Sequence, residues 1–242
     1  MAISLTSTLL SKASFRHGFS TREIDFLRAR GGADSALDRL AKESGIDPKS
    51  TRQGRQVHGT TVLAADSVGA DVMAADYETW PAGDALVSSS KFSVGVRVAD
   101  CVPILIADTK TGAVAAVHAG WRGFVSGIVE SALQTLDGDP KSLVVAIGPH
   151  IEACCFEVGE EVVVQFERYV QSSAFTVRSS SNPEAKPRLD LRAAVRHALG
   201  RCGIEAIDDV PGCTVCDASQ FFSYRREGEA SGRHLALIAP SV

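Results

Sequence analysis

No stretch of this chain approaches the run of about 20 apolar residues that a helix needs to cross a bilayer. The opening ten residues have an apolar flavour, but no basic residue precedes them and Ser and Thr interrupt them, so they do not read as a signal peptide. The expected compartment is therefore the cytoplasm. An excess of basic charge is missing too: 25 Lys and Arg stand against 29 Asp and Glu, a net charge of −4. That balance gives no reason to expect nucleic acid as a partner. The basic pair Arg225-Arg226 is short and isolated and reads as a solvated loop. Internal repeats and low-complexity tracts are also absent.

What is present suits a soluble globular protein. The 242 residues are 45% hydrophobic and 22% charged, enough apolar material for a sizeable core. Six cysteines would suggest disulfides in a secreted chain, but in a reducing compartment they remain thiols. Cys154 and Cys155 are adjacent, a poor geometry for bridging to each other. Cys213-x-x-Cys216 resembles half a zinc site or a redox pair, and no second C-x-x-C completes a four-thiolate site. Packing as small buried hydrophobes is the expected role of these cysteines.

Apolar spacing predicts helices over residues 35–44, 124–136, 158–169 and 189–202. Strands are expected over 57–64, 84–88, 93–98, 102–107, 113–118, 143–147 and 204–210. Residues 71–81 and 172–187 read as loops, and residues 213–222 and 234–238 flank a charged loop. The strands at 102–107 and 113–118 are joined by a polar turn and form a hairpin. Strands and helices mix without a strict β-α-β rhythm, which favours an α+β domain over a doubly wound fold.

Three polar residues interrupt otherwise apolar, tight segments: His58, Cys101 and His118. If Cys101 and His118 sit on the two arms of the hairpin, they meet at its open end. Two imidazoles and a thiolate are a good zinc set, and three protein ligands leave a tetrahedral position open for chemistry. The bland alternative is two satisfied histidines and a packing cysteine. The separations of 43 and 17 residues match no compact zinc motif. A metal-free alternative makes Cys101 a nucleophile and His118 its base. Arg122, at the Gly120-to-Gly123 turn that leads into a helix, could hold phosphate in its planar fork or bridge to Asp84 or Asp100. Asp100 could orient a ligand histidine. Arg55 could face a cleft or be a solvated charge. His150, His197 and His234 read as structural.

Several ordered segments resemble the YfiH/PgeF family, also called the laccase-domain or polyphenol oxidase family. They are Arg55-Gln56-Val57-His58-Gly59, Gly83-Asp84-Ala85-Leu86-Val87, Ala99-Asp100-Cys101-Val102-Pro103 and His118-Ala119-Gly120-Trp121-Arg122-Gly123. The series continues through Ile147-Gly148-Pro149, Glu157-Val158-Gly159, Leu189-Asp190-Leu191, Cys213-Thr214, Phe221-Phe222-Ser223-Tyr224-Arg225-Arg226 and Gly232-Arg233. Arg16-His17-Gly18-Phe19-Ser20 fits the family's opening, so the likeness spans residues 15–239 of a single domain, 1–242. Val98 and Phe156 depart from the residues common in the family.

The resemblance implies a layered α/β/β/α domain with mixed sheets, akin to the core of deamidating bacterial toxins. It implies a metal site, zinc, on His58, Cys101 and His118. It also implies phosphorolysis of adenosine, inosine, guanosine and methylthioadenosine, with some adenosine deamination; both reactions need an oxygen nucleophile at neutral pH, which a metal supplies. The substrates are then purine nucleosides and phosphate, with His17 and Arg225 lining the pocket. Alternatives at the same atoms are an amidase or hydrolase that edits peptidoglycan precursors, and a non-catalytic metal-binding protein. The oxidase label meets a physical objection. A multicopper oxidase needs a mononuclear copper and a trinuclear cluster built on many histidines, often as His-x-His, and this chain has six histidines and no such pair. A single Cu²⁺ could occupy the site in vitro, because copper outcompetes zinc for nitrogen and sulfur ligands.

Overall fold

Alternation along three strands sorts the core into layers, because successive side chains of a strand point to opposite faces. In the computed structural model, which describes residues 2–27, 36–69, 76–182 and 184–241, strand β7 is Val102–Asp108 and β8 is Val114–Ala119. Val102, Ile104 and Ile106 of β7, with Ala115, Val117 and Ala119 of β8, join one apolar cluster; Leu105, Ala107, Val114 and Ala116 join another. Strand β13 (His234–Ile238) repeats the division: Ala236 and Ile238 face the second cluster, Leu235 and Leu237 a third. Both sheets are therefore buried on both faces at their centres, where β7, β8 and β13 read as nearly continuous apolar runs.

The remaining strands are β1 (Ser4–Leu5), β2 (His17–Ser20), β3 (Thr51–Arg52), β4 (Val62–Ala64), β5 (Ala85–Ser88), β6 (Ser93–Val98), β9 (Leu143–Ile147), β10 (Thr176–Val177), β11 (Arg188–Leu189) and β12 (Ala206–Asp209). The helices are α1 (Thr8–Lys12), α2 (Ala36–Glu43), α3 (Trp121–Val125), α4 (Ile128–Leu136), α5 (Glu160–Val170), α6 (Leu191–Arg201) and α7 (Tyr224–Glu227). One sheet has the order β12-β9-β7-β8-β5-β4 and the other β1-β2-β13-β6-β3; each is mixed and mainly antiparallel, the first with a parallel pair at both edges and the second with one at its β3 edge. Leu40 and Ala41 of α2 cover the outer face of the five-stranded sheet. Phe124, Ile128, Val129, Phe166 and Val195, from α3 to α6, cover the outer face of the six-stranded sheet. The layers are thus α/β/β/α, as the resemblance implies.

Several expected boundaries move, each for a local reason. The strand expected over 57–64 survives only as β4. The backbone N–H groups of Val57, His58 and Gly59 all donate to the Asp84 carboxylate, and His58 takes a left-handed φ of 60°. The helix expected over 124–136 divides at Gly127, whose φ of 93° suits glycine, and its first segment starts earlier, at Trp121. The helix expected from 189 begins at Leu191, because Asp190 caps it by accepting from the Ala193 N–H while Arg188 and Leu189 pair with β10. Residue 35, residues 71–75 and residue 183 of the expected elements lie outside the described residues.

The register that matters most is the hairpin. Pro103 of β7 lies opposite His118 of β8, with Val102 opposite Ala119, so Cys101 and His118 do meet at its open end. The strands before and after Cys101 belong to different sheets, β6 to one and β7 to the other. Residues 99–101 are therefore the crossover between layers, and Asp100 takes a φ of 88° within it.

Candidate metal centre and its cleft

Asp84 immediately precedes β5, and its side chain is fully buried. Its carboxylate accepts the N–H groups of Val57 (3.1 Å), His58 (2.9 Å) and Gly59 (2.8 Å), and lies 2.8 Å from His118 Nδ1. Burial alone would raise the Asp84 pKa; the bonds to His118 and to the Gly59 and Val57 amides overrule it and hold the group below the usual carboxylate range. A left-handed non-glycine residue costs on the order of 1–3 kcal/mol. Hydrogen bonds to a charged group contribute about 1.5–3 kcal/mol each, so three of them outweigh the strain that His58 carries. One carboxylate thus sets the conformation of the His58 loop and the ring orientation of His118.

With Nδ1 of His118 occupied by Asp84, its Nε2 is the free nitrogen. The donor atoms of His58, Cys101 and His118 all lie within 4.8 Å of one another, and His58 Nε2 is 3.8 Å from Cys101 Sγ. The edges of a tetrahedral zinc site with one sulfur and two nitrogen ligands are about 3.3–3.6 Å long. The donor set needs only a small contraction to hold a metal ion, and the Asp84–His118 pair is the carboxylate support that ligating histidines usually have. Gly120 explains part of the local sequence: a Cβ there would stand 2.6 Å from His58 Cδ2 and 3.1 Å from Cys101 Sγ. Any larger residue would push into the donors. At Gly123 a Cβ would lie 2.9 Å from the Gly59 carbonyl oxygen, so this glycine lets α3 lie against the His58 loop.

Electrostatics bind the three donors into one unit. Burial would raise the Cys101 thiol, but the neighbouring His118 and His58 imidazoles bring it down to about 6. Burial would likewise lower His118, but the Cys101 thiolate and Asp84 push it up to about 9. At neutral pH and without a metal, the pair is thiolate and imidazolium. The thiolate is the form that either a metal or an electrophile meets, and His118 gives up its extra proton when Nε2 binds a metal.

A cleft of about 770 Å³ opens beside this cluster, lined by His58, Trp121, Arg122, Phe156, Glu157, Glu161, Gln165 and Arg225 among others. Arg122 is exposed, with its guanidinium over the Trp121 ring at 4.6 Å. It bridges to neither Asp84 nor Asp100: the Asp84 oxygens are engaged as described, and Asp100 accepts from Thr214 Oγ1 and, at 2.6 Å, from the Arg225 N–H. Asp100 therefore holds the Thr214 and Arg225 segments and touches no ligand histidine, while Asp84 has the orienting position considered for it. Arg225 lines the cleft, stacks on Phe156 and donates to the Glu157 carbonyl. Arg226 does not belong to a solvated loop; it donates to the carbonyls of Thr214, Val215 and Phe221.

Two expected residues are elsewhere. The His17 ring lies in β2 between the Ser7 N–H and the Phe15 carbonyl, and Arg55 is in a bridge with Ala82; neither lines the cleft. Asp84 was visible only as a motif residue ahead of an apolar strand and a possible partner of Arg122, Trp121 only as a motif aromatic, and Phe156 only as a departure from the family's common residue.

The lowered Cys101 pKa gives a direct test. In metal-free protein the alkylation rate of Cys101 should rise with pH through an inflection near 6, where an ordinary thiol would show about 8.5. Zinc should protect it. An inflection above 8 would contradict the thiolate–imidazolium pair.

Comparison with known proteins gives the family. The family described as multi-copper polyphenol oxidoreductase laccase matches residues 33–241. An adenosine deaminase, RL5, from an unknown prokaryotic organism is 36% identical over 202 residues, covering 80% of this chain and 76% of that protein. A purine nucleoside phosphorylase of Corynebacterium glutamicum, Cgl2154/cg2365, is 34% identical over 209 residues, covering 84% and 80%. The crystal structure of Neisseria meningitidis NMB0706 superimposes with a TM-score of 0.82 at 28% identity over the whole of both chains. By its ordered motifs, its layered fold and these matches, the chain belongs to the YfiH/PgeF laccase-domain family.

Proposed function

We propose that this protein is a zinc-dependent purine nucleoside phosphorylase acting on adenosine, inosine, guanosine and methylthioadenosine. The observation that carries the reading is the joining of the three-donor cluster, through His58, to a cleft that also presents Arg122, Arg225 and two aromatic rings. Relatives named purine nucleoside phosphorylase support it. The relative named adenosine deaminase supports a deaminase side activity.

Zinc held by His58, Cys101 and His118 would supply a Lewis acid able to bind an oxygen nucleophile at neutral pH. Two imidazoles and a thiolate suit zinc, although copper would bind such a set at least as tightly. The chain's own residues do the rest. Arg122 offers two parallel N–H donors to phosphate. Trp121 and Phe156 offer faces to the purine, and Glu157, Glu161 and Gln165 offer polar contacts to its edge. A phosphate oxygen attacks ribose C1′, the bond from C1′ to the purine nitrogen breaks, and the base leaves with a proton, giving ribose 1-phosphate. Asp84 keeps His118 in the tautomer that presents Nε2.

The thiolate at Cys101 also favours a second reading, an amidase or hydrolase that uses Cys101 as nucleophile, as in editing of peptidoglycan precursors. Phosphate separates the two. Metal-loaded protein given adenosine should release adenine and ribose 1-phosphate only when phosphate is present. Cys101→Ala should lose more than the roughly 10–100-fold typical of removing only a ligand's supporting hydrogen bond. Purine release at equal rates without phosphate, or full activity in a folded, metal-free Cys101→Ala protein, would reject the proposal.

Arg122 has its own signature. Arg122→Lys keeps the charge but loses the fork, so it should raise the KM for phosphate more than that for adenosine, and Arg122→Ala should do so further. Melting temperature should stay near that of the wild type, since Arg122 is exposed and holds no ion pair among the described residues. Equal changes in both KM values, or a fall in thermal stability alone, would assign Arg122 a supporting role.

A further inference from the structure

Cys202 packs against the main core as expected, but four of the other cysteines gather near the surface, Cys155 among them with one side against that core. Cys154 and Cys216 are exposed, and Cys155 and Cys213 are half-buried. Two turns 59 residues apart bring them together. Cys154 and Cys155 occupy the turn that follows β9, and Cys213 and Cys216 the turn that follows β12. The Cys154 sulfur lies 3.6 Å from that of Cys213 and 3.5 Å from that of Cys216, and the Cys155 sulfur is 3.3 Å from that of Cys216. All four sulfurs lie within 4.8 Å of one another, and none is bonded to another.

These separations discriminate between arrangements. A disulfide brings its sulfurs to about 2.05 Å. An iron–sulfur cluster spreads its thiolates over different irons, so they stand further apart. One tetrahedral ion with metal–sulfur bonds of about 2.3 Å has sulfurs about 3.8 Å apart, close to what is seen.

The surroundings suit such a centre, whose net charge with four thiolates and a divalent ion is about −2. The Cys213 sulfur faces the backbone N–H groups of Glu152, Cys216 and Val215. Three arginines donate to carbonyls of the same two turns: Arg188 to Cys154, Arg225 to Cys155, and Arg226 to Thr214 and Val215. The turns are also joined directly, through the Thr214 N–H to the His150 carbonyl.

We propose that Cys154, Cys155, Cys213 and Cys216 hold one zinc-class divalent ion in a closed tetrathiolate site, distinct from the centre at His58, Cys101 and His118. Binding converts four thiols to thiolates and releases their protons to solvent. With no open position, the site is structural. It ties the segment that carries Phe156 and Glu157 to the segment that precedes Arg225, and so fixes two parts of the cleft wall against each other.

Metal stoichiometry tests this independently of any enzymatic activity. Protein purified under reducing conditions and loaded with cobalt(II) should bind two ions per chain. Its thiolate-to-cobalt charge-transfer intensity should match five Co–S bonds, four in one site and one in the other. Cys213→Ser with Cys216→Ser should lose one ion and the four-thiolate bands while keeping the second ion, and Cys101→Ala should show the reverse. If the double variant fails to fold, Cys154→Ser together with the wild-type stoichiometry and spectrum decides the question. One ion per wild-type chain that Cys101→Ala abolishes would overturn the proposal. So would acid-labile sulfide, or disulfides among these four residues in the reduced preparation.

Discussion

The candidate metal centre depends on one buried carboxylate. Asp84 lies ahead of β5 at the end of the six-stranded sheet, out of contact with water, and four donors converge on it. A buried charge without such partners would cost several kcal/mol or take up a proton. Here the partners are the functional elements themselves. Three amides of the His58 loop fold around the carboxylate, and the His118 ring is turned by it. The interaction that makes Asp84 tolerable in the core is the same one that places two of the three candidate metal donors.

The layered fold supplies the third donor. The chain leaves one sheet at Val98 and enters the other at Val102, and Cys101 sits on the connection. Backbone strain gathers there and at His58, both of which carry or adjoin positive φ values at non-glycine residues. Such strain persists only where the surroundings over-determine it. At His58 the surroundings are Asp84; at Asp100 they are Thr214, Arg225 and the Ile151 N–H, which donates to the Asp100 carbonyl. The C-terminal loop is thereby tied to the crossover that carries Cys101.

Much of this was legible in the sequence, and the reasons differ by feature. The meeting of Cys101 and His118 followed from two adjacent apolar strands and a polar turn, a local pattern. The three donors and the layered class followed from ordered motifs. Asp84 was not legible as the organiser, because its partners lie 25 to 34 residues away and include backbone amides that sequence does not display. The thiol cluster was hidden for the same reason: half of it is an adjacent pair that matches no spacing rule. His17 and Arg55 belong to family motifs, but the structure spends His17 on a strand-end hydrogen bond and leaves Arg55 outside the cleft lining. Motif membership marked them without distinguishing support of the fold from contact with a ligand.

If Asp84 builds the centre, its charge matters as much as its shape. Asp84→Asn keeps the volume but replaces an acceptor-only group with one that carries two N–H donors facing other donors. The decisive measurement is the zinc affinity of the His58, Cys101 and His118 site in folded Asp84→Asn protein, by competition with a chromophoric chelator. The account predicts a weakening of about 10–100-fold relative to wild type; an affinity equal to wild type would contradict it.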